Sequence, residues 1–149
     1  MAELINLNAT TTTKITQGVF TPIVGGMTTM GVATYNSQVG TFTQIGNRIL
    51  FDIYLRWSAH TGTGNMRVFG LPYSANSPSS IAIWHKNLNL LANYICEAYV
   101  SVSNANTITL HQVPAGGGPP SSLNLDSSAE LMLSGHYTTG SNQGAHEDS

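Results

Sequence analysis

Hydrophobic and polar side chains alternate along much of this chain, and the longest alternating stretch covers residues 48–57. Successive side chains of a strand point to opposite faces, so this pattern predicts a strand with one buried face. The predicted buried side chains are Ile49, Phe51, Ile53, Leu55 and Trp57. Their burial contributes roughly 7–15 kcal/mol before entropy is subtracted, at about 1.5–3 kcal/mol each. The stretch is therefore predicted to be a core strand that sets the register of its neighbours.

Shorter strand-like segments recur at a spacing of about ten residues and are separated by turn-forming residues. They cover residues 19–24, 32–35, 39–45, 66–69, 81–86, 94–102, 107–113 and 130–137. A turn is predicted at Asn36-Ser37, another at Gly46-Asn47, and a loop over residues 114–122, which are rich in Gly and Pro. No segment has a helical period. The pattern predicts an all-β, jelly-roll-like antiparallel β-sandwich of about eight strands.

The two ends of the chain differ from this middle region. Residues 1–18 are polar and threonine-rich, and their only apolar cluster is Leu4, Ile5 and Leu7. We predict an extended N-terminal arm that docks on a neighbouring protein through this cluster. The alternative is a flexible N-terminal tail. The β-sandwich domain is predicted to span residues 19–138. Residues 139–149 are predicted to form a flexible C-terminal tail.

Composition narrows the class of protein. The 149 residues suit one domain. Charged residues make up 8% of the chain, against about 25% in typical soluble domains, so Ser, Thr, Asn, Gln and Gly must cover the surface. This composition is typical of extracellular β proteins and of subunits that are buried in an assembly.

Five Lys and Arg residues form no basic patch, so no nucleic-acid partner is expected. No apolar run reaches the ~20 residues of a membrane span, and the pattern of the first residues does not predict a secretory signal.

Candidate catalytic groups are few. A glycosidase needs two carboxylates in one cleft. Asp52 and Glu97 lie in the middle of predicted strands, on the faces predicted to be exposed to solvent, which favours ordinary surface charges over a catalytic pair. Ser58 and His60 have neither the acid partner nor the G-x-S-x-G turn of a hydrolase. Cys96, the single cysteine, is predicted to be a buried, inert thiol. We therefore expect no enzyme and no cofactor.

Histidines and aromatic residues supply the candidate binding groups. His111 and His136 lie on predicted strands that could be neighbours. We interpret them as ordinary polar residues, and the alternative is that they bind a metal ion between the subunits of an oligomer. No metal is expected. Exposed Tyr or Trp side chains give a flat apolar face with a polar tip, which suits a sugar ring. The candidate carbohydrate-binding residues are Tyr73, Trp84 and Tyr99, with burial as the alternative for each.

Residues 40–72 read GTFTQIGNRILFDIYLRWSAHTGTGNMRVFGLP. This run closely resembles a domain found at the C-terminal ends of many bacteriophage tail-fibre and tail-spike proteins. The similarity extends over about residues 18–137 and is strongest in the first half. The structural motif residues that carry it are Gly46, Asn47, Trp57, His60, Thr61, Gly62, Gly64 and Pro72.

The resemblance implies a jelly-roll-like sandwich that assembles as a homotrimer on the virion surface. It implies a structural role in attachment, contact with host-surface carbohydrate in many members, and a motif that serves the fold or the trimer. In most relatives the domain lies at the end of a long fibre protein, whereas here about twenty residues precede it. This favours a capsid decoration or head-fibre subunit that is made in the host cytoplasm and held to other virion proteins by the arm. A tail-fibre tip that binds host glycan is the alternative, and a polysaccharide-degrading enzyme with a carboxylate cleft between subunits is the third hypothesis.

Overall fold

The computed structural model describes residues 2–5, 12–140 and 145–146, with side chains from residue 13 to residue 140. Its regular elements are strands. They are β1 (Ala2–Ile5), β2 (Thr12–Phe20), β3 (Ile23–Gly26), β4 (Ala33–Ile45), β5 (Arg48–His60), β6 (Met66–Phe69), β7 (Ser79–Lys86), β8 (Tyr94–Val100), β9 (Thr107–Pro114), β10 (Ser121–Ser122), β11 (Ala129–Thr138) and β12 (Ala145–His146). Within these described ranges there is no helix that could cross a membrane.

The strands form one curled antiparallel sheet in the order β1-β2-β4-β5-β11-β7-β8-β9-β6-β3. Strand β7 belongs to two layers: residues 82–86 pair with β11, and residues 79–81 pair with β8. We call the layer from β2 to β7 sheet A and the layer from β7 to β3 sheet B. The all-β, sandwich-like fold predicted from the sequence is confirmed, although the path contains ten strands rather than about eight.

The core lies between the two layers, and β5 supplies its centre. The five side chains predicted to be buried on β5 are each at most 3% exposed. Opposite them, sheet B contributes Met66, Val68, Ile108 and Leu110, which are equally buried. Trp57 therefore belongs to the core, and its indole nitrogen donates a hydrogen bond to the Asp126 carbonyl oxygen at 3.0 Å.

Two predicted turns have different outcomes. Gly46 and Asn47 form the two-residue turn between β4 and β5, and Gly46 has a φ of +62°, which glycine adopts without strain. At Asn36, by contrast, β4 continues, and the register with β5 shifts by one residue between Tyr35 and Ser37. The turn-forming residues therefore mark a β-bulge, which places one extra residue in the strand without ending it.

Part of the segment predicted as an arm lies in a strand of sheet A. Residues 12–18 lie in β2, which pairs with β4 from Ile15–Ile45 to Phe20–Gly40. Threonine is polar, but it is β-branched and fits a strand, so a threonine-rich segment can be an edge strand. Leu4 and Ile5 lie in β1, which forms a hairpin with the outer end of β2. Leu7 and the side chains of Leu4 and Ile5 lie outside the described residues.

The C-terminal boundary differs in the same way. Thr139, where the flexible tail was predicted to begin, forms a bridge with Ala75 and is 3% exposed. Further along the chain, β12 pairs with β2 opposite Thr12 and Thr13. The rest of the predicted tail, residues 141–144 and 147–149, lies outside the described residues.

Candidate functional site

The motif at residues 60–65 lies in the loop that follows β5, and this loop packs against the loop before β4. We call residues 26–32 and 60–65 the loop pair. The amide nitrogens of Thr28 and Thr29 both donate to the Thr63 carbonyl oxygen, at 3.0 and 3.1 Å, and Thr63 donates back to Thr29 at 3.0 Å. The two backbones are therefore hydrogen-bonded to each other directly, which requires small residues at the contact.

Glycines make this close approach possible. Gly31 has a φ of +69°, and a Cβ added there would overlap the backbone of Gly62. Gly64 has a φ of +92°, and a Cβ added there would overlap Thr28. Both conformations are costly for other residues, and both sites have no space for a side chain. The glycines of the motif are thus explained by the fold.

The polar motif residues are also used within the fold. His60 contacts the Val24 carbonyl oxygen through Nε2 at 2.8 Å, and its Nδ1 accepts the Gly62 amide at 2.9 Å. The contact with a carbonyl makes Nε2 the protonated nitrogen. The Thr61 hydroxyl accepts the Val32 amide at 2.9 Å. Because both ring nitrogens of His60 bind backbone groups, neither is available to activate Ser58.

The last motif residue, Pro72, follows the buried Leu71 at the start of the loop between β6 and β7. Tyr73, next in the chain, packs edge-to-face on Phe42 with ring centroids 5.9 Å apart. The buried Tyr137 hydroxyl donates to the Tyr73 carbonyl oxygen at 2.8 Å and accepts the Tyr73 amide at 3.2 Å. This loop is therefore fastened to β11, and Tyr73 has a packing role there.

The three candidate carbohydrate-binding residues are not brought together. Tyr73 packs against the core, Trp84 lies on the outer face of sheet A with 47% exposure, and Tyr99 lies on the outer face of sheet B. A single sugar site formed by all three is excluded by their positions in one subunit.

The paired groups considered from the sequence are also separated. Asp52 lies on the outer face of sheet A and Glu97 on the outer face of sheet B, so they share no cleft within one subunit. His136 is on β11 in sheet A, 2.9 Å from an Arg48 nitrogen, whereas His111 is on β9 in sheet B. The described part of the chain contains no group of three or more potential metal ligands.

The outer face of sheet B instead carries a polar and aromatic group that we call the Tyr99 cluster: Arg67, Glu97, Tyr99, Thr109 and His111. The register places Glu97 opposite His111, with Nε2 3.0 Å from the carboxylate, and Tyr99 opposite Thr109, which is opposite Arg67. The Tyr99 and His111 rings are 5.2 Å apart. Two cavities, of about 320 and 220 Å³, flank these rings.

The hydrogen-bonding capacity of this cluster is not used up. Arg67 donates through Nη1 to Asn104, but its Nε and the Thr109 hydroxyl are buried without a partner. The Glu97 side chain is 51% exposed. The sequence contains each of these residues, but only the strand register shows that they are neighbours. The cluster offers an aromatic surface beside donors and acceptors, which is the chemistry that binds hydroxylated ligands.

Cys96, beside this cluster, has the properties of an unreactive thiol. Burial, and secondarily the Glu97 charge, raise the pKa of the Cys96 thiol to about 12. Because the folded protein holds this proton more tightly than the unfolded chain, stability is complete below the unfolded pKa of ~8.5 and falls as pH rises towards 12. We expect urea denaturation to show a smaller loss of unfolding free energy between pH 7.5 and pH 10 for Cys96→Ala than for the wild type. The two pKa values correspond to a difference of about 2 kcal/mol, which solvent screening of the partly exposed thiol reduces to about 1 kcal/mol, and identical losses would contradict this account.

A solved structure with a similar fold is that of the Dettilon tailspike protein. It matches with a TM-score of 0.68 and 23% sequence identity, over 83% of this chain and 24% of that chain. This chain thus corresponds to about a quarter of the length of that protein. No protein-family model matches the chain, and no curated protein matches it significantly. The comparison defines a class of fold, a β-sandwich of the kind present in a tailspike.

Proposed function

We propose that this chain is a non-enzymatic structural protein of the phage virion surface and that it works as a homotrimer. The observation that carries the proposal is the likeness in fold, over 83% of this chain, to a tailspike protein. The assignment of the motif residues to turns, core and loop pair supports a structural role. The separation of Asp52 from Glu97 argues against the carboxylate pair that an enzyme would need within a subunit.

The likeness to a tailspike favours a location on the tail, and a capsid decoration subunit is the alternative. Antibody against the chain, applied to purified virions and imaged by negative stain, separates the two. Label at the tail tip is the expected result, and label over the shell would identify a capsid decoration subunit. Absence of the chain from purified virions would contradict the whole proposal.

Attachment to other virion proteins is assigned to the N-terminal hairpin. Because residues 12–18 belong to sheet A, the informative deletion removes residues 2–11, which include β1 but not β2. We expect this variant to fold and to be lost from virions. A deletion of residues 2–18 serves as a comparison, since it also removes pairing along β4 and is expected to destabilise the domain. Normal incorporation of the shorter deletion would contradict a docking role.

A second candidate function is binding of host-surface carbohydrate at the Tyr99 cluster. The half-exposed Glu97 carboxylate beside the Tyr99 and His111 rings favours this function over one at Trp84 or Tyr73. We expect Tyr99→Ala to weaken binding to host surface polysaccharide at least tenfold, which is about 1.4 kcal/mol. The matched control is Tyr94→Ala, on the same strand. Equal binding by the Tyr99→Ala variant, or no hit on a glycan array, would contradict this function.

A further inference from the structure

A row of large side chains crosses the outer face of sheet A. Val39 pairs with Tyr54, Tyr54 with Met132, and Met132 with Trp84, so the row spans β4, β5, β11 and β7. Val39 is 52% exposed, and Met132 and Trp84 are each 47% exposed. Neighbouring strands are about 4.8 Å apart, so this apolar row is about 15 Å long.

Other apolar side chains extend the same face. Leu50 is 41% exposed, Ile45 38% and Val19 80%. A groove of about 460 Å³ follows the apolar row, and a second of about 680 Å³ runs beside Val19 and Leu50. Single exposed apolar residues are ordinary on a protein surface, but an apolar row that crosses four strands is a contiguous patch of the kind that marks interaction sites.

We propose that this face is the contact surface between copies of the chain in the homotrimer; the inference rests on the homotrimer proposed above. The occupant is a second copy rather than a sugar because the apolar row has little hydrogen-bonding capacity to offer. Its one hydroxyl, that of Tyr54, already donates to the Glu130 carboxylate at 2.7 Å. The row therefore provides apolar contact, which a protein surface can match.

The charges around the row fit an interface between identical copies. Arg56, Glu130 and Lys86 form the neighbouring row on one side, and Asp52 lies on the other side. The face thus carries both signs around an apolar centre, as a specific interface with a polar rim does. Among the described side chains the one ion pair joins Glu97 to His111 in sheet B, so none of these four residues forms an ion pair with another described side chain.

The size of the face is of the same order as that of a specific interface. Nine residues on each of β4, β5 and β11 and the five residues 82–86 of β7, at about 4.8 Å between strands and about 3.4 Å per residue, cover roughly 500 Å² before the relief of the side chains is counted. A specific interface takes about 800 Å² of accessible surface from each partner. The low charge content of the chain, 8%, agrees with a subunit that covers a large face in an assembly.

The test is a charge placed in the middle of the row. Met132→Glu is compared with Ile95→Glu, since Ile95 is 50% exposed on the outer face of sheet B. Light scattering and sedimentation at micromolar concentration give the oligomeric state, and circular dichroism gives the fold. We expect the wild type and Ile95→Glu to be trimers and Met132→Glu to be a folded single subunit. Trp84→Lys, at the exposed end of the row, is the second variant if Met132→Glu fails to fold.

The outcomes separate this inference from the proposed function. A trimeric wild type whose Met132→Glu and Trp84→Lys variants stay trimeric would overturn the assignment of the face and leave the homotrimer intact. A wild type that runs as a single subunit would overturn the homotrimer itself. A trimer that Ile95→Glu dissociates, while Met132→Glu does not, would place the contact on sheet B instead.

Discussion

Replacing Trp57 by alanine is expected to lower the free energy of unfolding by about 3–5 kcal/mol. The Trp57 side chain is 2% exposed in the last third of β5, and its indole nitrogen donates a hydrogen bond to the Asp126 carbonyl oxygen. The substitution leaves a cavity between the layers and removes the hydrogen-bond donor to the segment before β11. Urea denaturation followed by circular dichroism measures the loss, at one fixed protein concentration because assembly contributes to stability.

Val102→Ala is the matched control, because Val102 is a large apolar residue with 54% exposure in the loop after β8. A surface substitution of this kind is expected to change the unfolding free energy by no more than about 0.5 kcal/mol. A loss of less than about 1 kcal/mol for Trp57→Ala would mean that Trp57 does not hold the layers together.

Replacing Gly31 by alanine is expected to destabilise the domain by about 3 kcal/mol or more, although it adds only one methyl group. The φ of +69° costs an L-residue roughly 1–2 kcal/mol, and the added Cβ would overlap the Gly62 backbone. A side-chain end could move away from the contact, but a backbone nitrogen held in the loop pair cannot. The expected result is separation of the two loops, seen as a lower midpoint of urea denaturation.

The matched control is Gly116→Ala, in the loop between β9 and β10. A Cβ added at Gly116 would have no atom within 4 Å, and no left-handed φ is required there. This variant is expected to be neutral or slightly stabilising, since alanine restricts the unfolded chain. Equal stability of the Gly31→Ala and Gly116→Ala variants would show that the loop pair tolerates a side chain.

The strands of the core could be predicted from the sequence because their pattern is local. Alternation over residues 48–57 identified the buried face of β5, and the Gly46-Asn47 turn fixed its pairing with β4. The edges were harder to predict. A threonine-rich segment such as β2 looks polar enough for an arm, and only its partner β4 shows that it belongs to the sheet.

The sites could not be predicted in the same way because they depend on register between strands far apart in the sequence. Glu97 and His111 become neighbours only when β8 and β9 pair. Val39 and Trp84 fall in one row only because β5 and β11 lie between their strands. The sequence did suggest Tyr99 and Trp84 as exposed aromatics. Their assignment to opposite faces of the sandwich needed the strand order.

The sharing of β7 between the layers makes the two sides of the sandwich mechanically unequal. On the β7 side, backbone hydrogen bonds run without interruption from one layer to the other. On the opposite side, β3 reaches sheet A through the loop pair at its end and through side chains along its length: the Tyr35 hydroxyl accepts the Val24 amide at 2.9 Å, and Gln38 donates to the Pro22 carbonyl oxygen at 2.8 Å. Under mechanical load we expect the two layers to separate first along β3 and last along β7. Amide hydrogen exchange should accordingly be faster along β3 than along β7.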